Sequence, residues 1–161
     1  MTGTVKTQGS ELFLVDTLTS SVAAVMKLIC PTGITGLGGA ADQIDSTCLD
    51  DIDDKQFVRG LGNPGQVSVP FNLHPAEASH QILFDLKAAG DTVGWMICLS
   101  DGSADPTLDS VDALVAPAAR TSFGFNAYIA DVTIDVATNE IVRGTLTLQR
   151  SGAVIPYWSA A

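Results

Sequence analysis

The stretch Gly62 to Gly90, GNPGQVSVPFNLHPAEASHQILFDLKAAG, decides the fold class. After the Gly-Asn-Pro-Gly turn at 62–65, Val67, Val69, Phe71 and Leu73 alternate with Gln66, Ser68, Pro70 and Asn72. Strict period two predicts a half-buried strand. Pro70 falls on its polar face, so an edge or a bulge is expected there, because proline has no N–H for a ladder. Then the period changes. Ala78, Ile82, Leu83, Leu86 and Ala89 fall on one helical face, Pro75 suits a first turn, and Gly90 supplies a stop. These features predict one helix over about 75–89, with His80 beside its apolar face.

Outward from this unit the chain reads as strands. Ser21 to Cys30 is expected to be a strand closed by the Pro31-Thr32-Gly33 turn, and Val93 to Leu99 another around Trp95. Phe123, Phe125, Ala127 and Ile129 alternate in one register, and Tyr128, Ala130, Val132, Ile134 and Val136 in the other. A one-residue slip exchanges the faces of a strand, so a bulge is expected near Tyr128. The turn at 137–139 leads to a last strand over Ile141 to Gln149. Roughly seven strands and one helix give a mainly β chain, a β-sandwich or barrel with a flanking α-helix.

The 161 residues suit one domain over 1–161, with an N-terminal arm over about 1–20 and a short tail over about 151–161. Between the first strand and the 66–73 strand lies a long polar loop, about 36–62. It carries Asp42, Asp45, Asp50, Asp51, Asp53 and Asp54 ahead of the first base, Lys55. Loops this long in compact domains are usually functional or disordered. Contact with a neighbouring subunit explains such a loop.

Eight Lys and Arg face eighteen Asp and Glu, a formal charge of -10. That balance excludes an affinity site for nucleic acid and docking on anionic membranes. No apolar run spans a bilayer, and the N-terminus lacks the flank and core of a signal peptide. Cys30, Cys48 and Cys98 form no Cys-x-x-Cys pair and are expected to be buried or inert thiols in a reducing compartment.

The chemical motifs fall short. Gly36 to Ala41 fits the relaxed dinucleotide pattern, but no amphipathic helix or βαβ unit follows it. Residues 101–112 space oxygen side chains like a calcium loop, yet Pro106 stands where glycine makes the sharp turn and Asp112 where a bidentate Glu is usual. Asp50, Asp51, Asp53 and Asp54 read as a solvated charge run. His74 and His80 have packing and turn roles, and no nucleophile elbow is present. No catalytic residue, cofactor or metal is expected.

GITGLGGAADQIDSTCLDD (33–51) followed by KQFVRGLGNPGQVSVPFNLHPAEASHQILFDLKAAG (55–90) resembles the major tail protein, or tail tube protein, of long-tailed bacteriophages. The matching positions are Ile34, Gly36 to Gly39, Asp42, Ile44, Asp45, Thr47, Leu49 and Asp50, then Gly60, Leu61 and Gly65. Val142 to Val154 is similar to that family's last strand and tail. Larger members carry an immunoglobulin-like domain after the tube domain, and none is expected here.

The resemblance implies a structural, non-enzymatic virion protein, assembled in the host cytoplasm into stacked hexameric rings. Those rings form the conduit for genome ejection. It also implies tape measure, tail tip and tail terminator proteins as partners, and DNA that passes without specific binding. The loop would then be an inter-subunit contact through Asp42, Asp45, Leu49, Asp50, Asp53, Asp54, Phe57 and Arg59, with Tyr157 and Trp158 a further contact in the tail. Asp131, Thr133 and Asp135 share one strand face, and Thr145, Thr147 and Gln149 one face of its hairpin partner. An acidic lumen repels phosphate, and these six are the expected lumen-facing residues. The alternatives are a related secretion-system tube protein and a ligand- or carbohydrate-binding β-sandwich module.

Overall fold

A computed structural model describes residues 3–160. Met1, Thr2 and Ala161, at the outer ends of the expected arm and tail, lie outside the described residues. The elements in chain order are β1 (Glu11–Asp16), β2 (Ala24–Lys27), β3 (Ala41–Asp45), β4 (Phe57–Gly62), β5 (Gln66–Asn72), α1 (Ala78–Ala89), β6 (Val93–Cys98), β7 (Thr107–Leu108), β8 (Leu114–Val115), β9 (Ser122–Asp135) and β10 (Arg143–Tyr157). Six strands form one antiparallel sheet in the order β2-β1-β6-β9-β10-β5, while β3-β4 and β7-β8 are separate two-stranded ribbons. The chain is mainly β with one helix, as the alternation patterns require.

Three expected stretches in the first half of the chain turn out differently. Glu11 to Asp16, placed in the arm by the sequence, is a central strand. Its apolar run shows no alternation because both faces are buried. Leu12 and Leu14 join the main core, and Phe13 packs with Met96 and Cys98 on the other face, beneath Leu114 and Ala116. The strand expected over Ser21 to Cys30 shrinks to β2, an edge. The 36–62 loop is in large part the β3-β4 ribbon, described below.

Chain after β2 closes the sheet into a barrel. Leu28 N–H donates to Leu12 O at 2.9 Å, and farther on Asn72 N–H donates to Cys30 O at 3.2 Å. Thr32 N–H donates to Pro70 O at 2.8 Å, while Thr35 and Ser68 exchange a pair of bonds at 3.0 and 2.9 Å. The segment 28–35 thus joins β1 at one end and β5 at the other. Pro70 turns its backbone toward this segment, so its missing N–H takes nothing from the β5-β10 ladder. Gly36 follows with φ +91°, and a Cβ there would lie 2.1 Å from Gln66 O. That glycine is explained by close backbone approach to β5.

Helix α1 packs Ile82, Leu83 and Leu86 into the barrel core. Ala78 and Ala89, expected on the buried face, are exposed, and Ser79 and His80 are buried instead. The backbone of Ile29 accounts for the exchange. Its N–H donates to Ser79 Oγ at 3.3 Å, and His80 Nε2–H donates to its carbonyl at 2.7 Å. His80 Nδ1 accepts from His74 N–H at 2.9 Å, so both ring nitrogens of the neutral imidazole are used. Gly90, at φ 71°, ends the helix and donates to Leu86 O at 2.9 Å.

The longest strands are β9 and β10. Asp131 pairs Thr147 and Ile129 pairs Leu148, leaving Ala130 unopposed. This is the expected bulge, two residues past Tyr128, and it moves the buried face from Phe125, Ala127 and Ile129 to Val132. Gly144 lies directly opposite Phe71, whose ring covers it, and a Cβ there would lie 2.5 Å from Phe71 Cζ. The flanking strands are shorter. β6 covers β9 only over Ser122–Ala127, and β5 covers β10 only over Arg143–Gln149. Half of β9 (Tyr128 to Asp135) and half of β10 (Ser151 to Tyr157) therefore have no strand on their outer side among the described residues.

Candidate assembly surfaces

The β3-β4 ribbon stands apart from the main sheet and ends in a tip over residues 46–56. Its carboxylates organise the turn. Asp45 Oδ1 accepts from Thr47 N–H at 2.9 Å, Asp51 Oδ2 accepts from Cys48 N–H at 2.8 Å, and Gln56 N–H donates to Thr47 Oγ1 at 2.9 Å. The bond with Thr47 holds the Asp45 carboxyl below its ordinary value. Asp42 sits at the ribbon's bulge, between the Ala41–Gly62 and Gln43–Arg59 pairs. Asp50, Asp53 and Asp54 lie on the exposed tip, and Phe57 and Arg59 are exposed on β4. Leu49 and Ile52 are almost fully exposed, and Ile44, Phe57, Val58 and Leu61 are more than half exposed. Six large apolar side chains on one thin ribbon form the kind of surface that soluble monomers rarely expose and that marks contact with a partner.

The six expected lumen residues are brought together. Thr133 pairs Thr145, Asp131 pairs Thr147, Gln149 pairs Tyr128, and Asp135 pairs Arg143. Thr133 and Asp135 are exposed, and Thr145, Thr147 and Gln149 are half-buried. Asp131 is engaged elsewhere: Lys87 of α1 donates to its Oδ1 at 2.8 Å and lowers its pKa.

The expected tail is fastened to the sheet. β10 continues to Tyr157, which pairs Ser122, and Ala160 N–H donates to Ala118 O at 2.9 Å. Trp158 meets Phe123 edge-on at 6.0 Å between centroids yet stays 72% exposed. Cys30 and Cys48 are exposed rather than buried, the first on the barrel-closing segment and the second at the ribbon tip. Cys98 alone is buried, and burial pushes its thiol up. Two acids of the calcium-like run are spent on backbone. Asp101 accepts from Thr121 N–H, and Asp109 from Val111 and Ala113 N–H.

Two arginines escaped the sequence reading. Arg120, 1% exposed, donates to Glu11 Oε2 at 2.9 Å and to the carbonyls of Leu99, Ala104, Gly9 and Cys98. It ties the chain before β1, β1 itself and the 100–104 turn to the end of β6. Burial works against the Glu11 carboxylate, but hydrogen bonds from Lys27 and Arg120 outweigh it and hold the group below its ordinary value. Arg150, 5% exposed, donates Nη2 to Gly38 O, and its buried Nε has no partner. The signal available was a base next to an apolar alternation in a chain with few bases: Arg120 stands two residues before β9, and Arg150 continues the alternation of Leu146 and Leu148 within β10.

The sequence matches the family described as "Phage tail tube, TTP, lambda-like" over residues 3–160. It is 34% identical over 152 residues to "Structural protein 3" of Pseudomonas phage PAJU2, covering 92% of this chain and 90% of that protein. The fold is similar to that of the SPP1 tail tube protein, with a TM-score of 0.64 at 10% identity, over 98% of this chain and 81% of the other. A chain of the sheath-tube complex of the PVC extracellular contractile injection system shares the fold too. There the TM-score is 0.65 at 15% identity, over 97% and 93% of the two chains. The chain belongs to the lambda-like phage tail tube family, structural proteins of the virion tail.

Proposed function

We propose that this chain is the repeating unit of the tail tube, joining head to tail in hexameric rings that stack around the path of the genome. The offset of the β9-β10 ribbon carries the reading. One half-edge (Tyr128 to Asp135) and the other (Ser151 to Tyr157) lie on opposite strands and opposite ends of the ribbon. Unpaired strand edges invite pairing with another chain. Two different edges meeting head to tail give a heterologous contact, which forms a ring when the rotation closes. The inner wall would then be continuous sheet, lined by Thr133, Asp135, Thr145, Thr147 and Gln149, on subunits of charge -10. Asp135 faces Arg143 across the pair, so it is the excess of carboxylates over the whole subunit, more than the wall residues themselves, that would keep phosphate from sticking and let DNA pass.

The exposed β3-β4 ribbon would contact the next subunit or ring, with Trp158 a further contact. Tail terminator, tail tip and tape measure proteins are the expected neighbours at the ends and within the bore. This work is assembly, without catalysis. Negative-stain microscopy of the purified chain tests it: rings or tubes with six-fold symmetry are expected. A strictly monomeric protein at high concentration would refute the reading, and retention on a sugar column would favour a ligand-binding module.

A further inference from the structure

The base of the β3-β4 ribbon holds an open pocket of about 510 Å³, lined among others by Leu37, Arg59, Asn63, Arg150, Ala153 and Val154. Its chemistry is unbalanced. Arg150 is buried there with Nε unpartnered, and it takes part in none of the three ion pairs among the described residues. Arg59 brings a second positive charge to the same pocket. Buried charges are ordinarily paired, and a guanidinium presents a fork shaped for a carboxylate. Asp42, at the base of the ribbon, pairs with neither arginine, and the tip acids of the same chain are too far away. The tip is at the far end, four residues along β3, or roughly 13 Å at strand rise.

The tip offers the complement. Asp50, Asp53 and Asp54 are exposed and unpaired with any base among the described residues, beside the bare side chains of Leu49 and Ile52. Acid and apolar groups stand together on the tip, and base and apolar groups together in the pocket. We propose that the pocket at Arg150 and Arg59 receives the acidic ribbon tip of a second copy of this chain, and that this ion pairing joins neighbouring subunits. The proposal rests on the self-assembly reading above and names the contact within it.

A charge swap tests it in the full chain. Arg59 and the tip acids are exposed, so Arg59→Glu and the pair Asp53→Lys with Asp54→Lys should leave the melting of the soluble subunit unchanged. Each set should lower the sedimentable, tube-forming fraction at least about tenfold, the size expected for a desolvated charge pair. The three changes together should restore assembly to within about threefold of the unaltered chain. Single sets that assemble normally, or a triple variant no better than the worse single set, would overturn the contact while leaving tube assembly standing. If the unaltered chain forms no rings or tubes, the assembly reading falls first and this contact with it.

Discussion

Arg120→Leu is the sharpest test of how the barrel is held shut at its β1-β6 end. Five acceptors converge on one side chain that is 1% exposed. Leucine fills much of the space but removes every donor. Glu11 keeps Lys27, so the carboxylate is not wholly abandoned. The backbone carbonyls of Cys98 and Leu99 lose an Arg120 donor in a region that water reaches poorly. Summing charged hydrogen bonds would overstate the loss, because the five share one group. Each buried carbonyl left without a donor costs about 1–3 kcal/mol, so the Cys98 and Leu99 carbonyls together put the loss at about 3–5 kcal/mol. For a chain of this length, that corresponds to a melting temperature lower by roughly 6–20 °C. Thermal unfolding of the soluble subunit by circular dichroism measures it, with Arg120→Lys as the companion. Lysine keeps the charge but not the fork, so it should fall between the two. A leucine variant melting within about 2 °C of the parent would refute the reasoning, as would a lysine variant as damaged as leucine.

Other outcomes follow from the same geometry. Glu11→Gln should cost about 1 kcal/mol at neutral pH. Because the folded carboxyl is held below its ordinary 4.5, the carboxylate's stabilisation is complete above that value and is lost as pH falls through the lower folded value. The gap between variant and parent in melting should therefore close on acidification, and a widening gap would contradict the assignment. Gly144→Ala drives a Cβ into the Phe71 ring and should cost about 1–3 kcal/mol in urea unfolding, with Phe71→Leu in the same chain recovering part of it. Thr133→Lys with Asp135→Lys should leave tubes intact but slow genome ejection, read by DNA release from the particles; unchanged kinetics would remove the lumen assignment. Amide exchange over residues 41–62 should slow on polymerisation, and equal protection before and after would mean the ribbon is not an interface.

Where one face of an element was wet, its pattern could be read directly. β5 shows this, with Val67, Val69 and Phe71 inward and Ser68 outward, and so does α1 through Ile82, Leu83 and Leu86. β1 hid because both of its faces are dry, which erases the alternation that marks a strand. The ribbon hid for the opposite reason: neither face of β3 is fully buried, so nothing sorted Asp42 from Ile44. Segment 28–35 closes the barrel by hydrogen bonds from irregular backbone, which no periodicity encodes. The sheet residues expected in the lumen do lie together, since Thr133 with Thr145 and Asp131 with Thr147 follow from strand register. Arg120 and Arg150 act through carbonyls distant in sequence, and only the folded chain brings those to one place.

The offset of β9 against β10 would also make the proposed ring vulnerable to its own defective copies. A subunit cut after Arg150 would keep the half-edge at Tyr128 to Asp135 and lose the one at Ser151 to Tyr157. In a ring built on these edges it could accept a neighbour but not pass the chain of contacts on. Such copies would act as stoppers, each able to spoil a ring of otherwise sound subunits. Dominance in mixed expression, rather than simple loss of function, would then follow from the stagger of two strands.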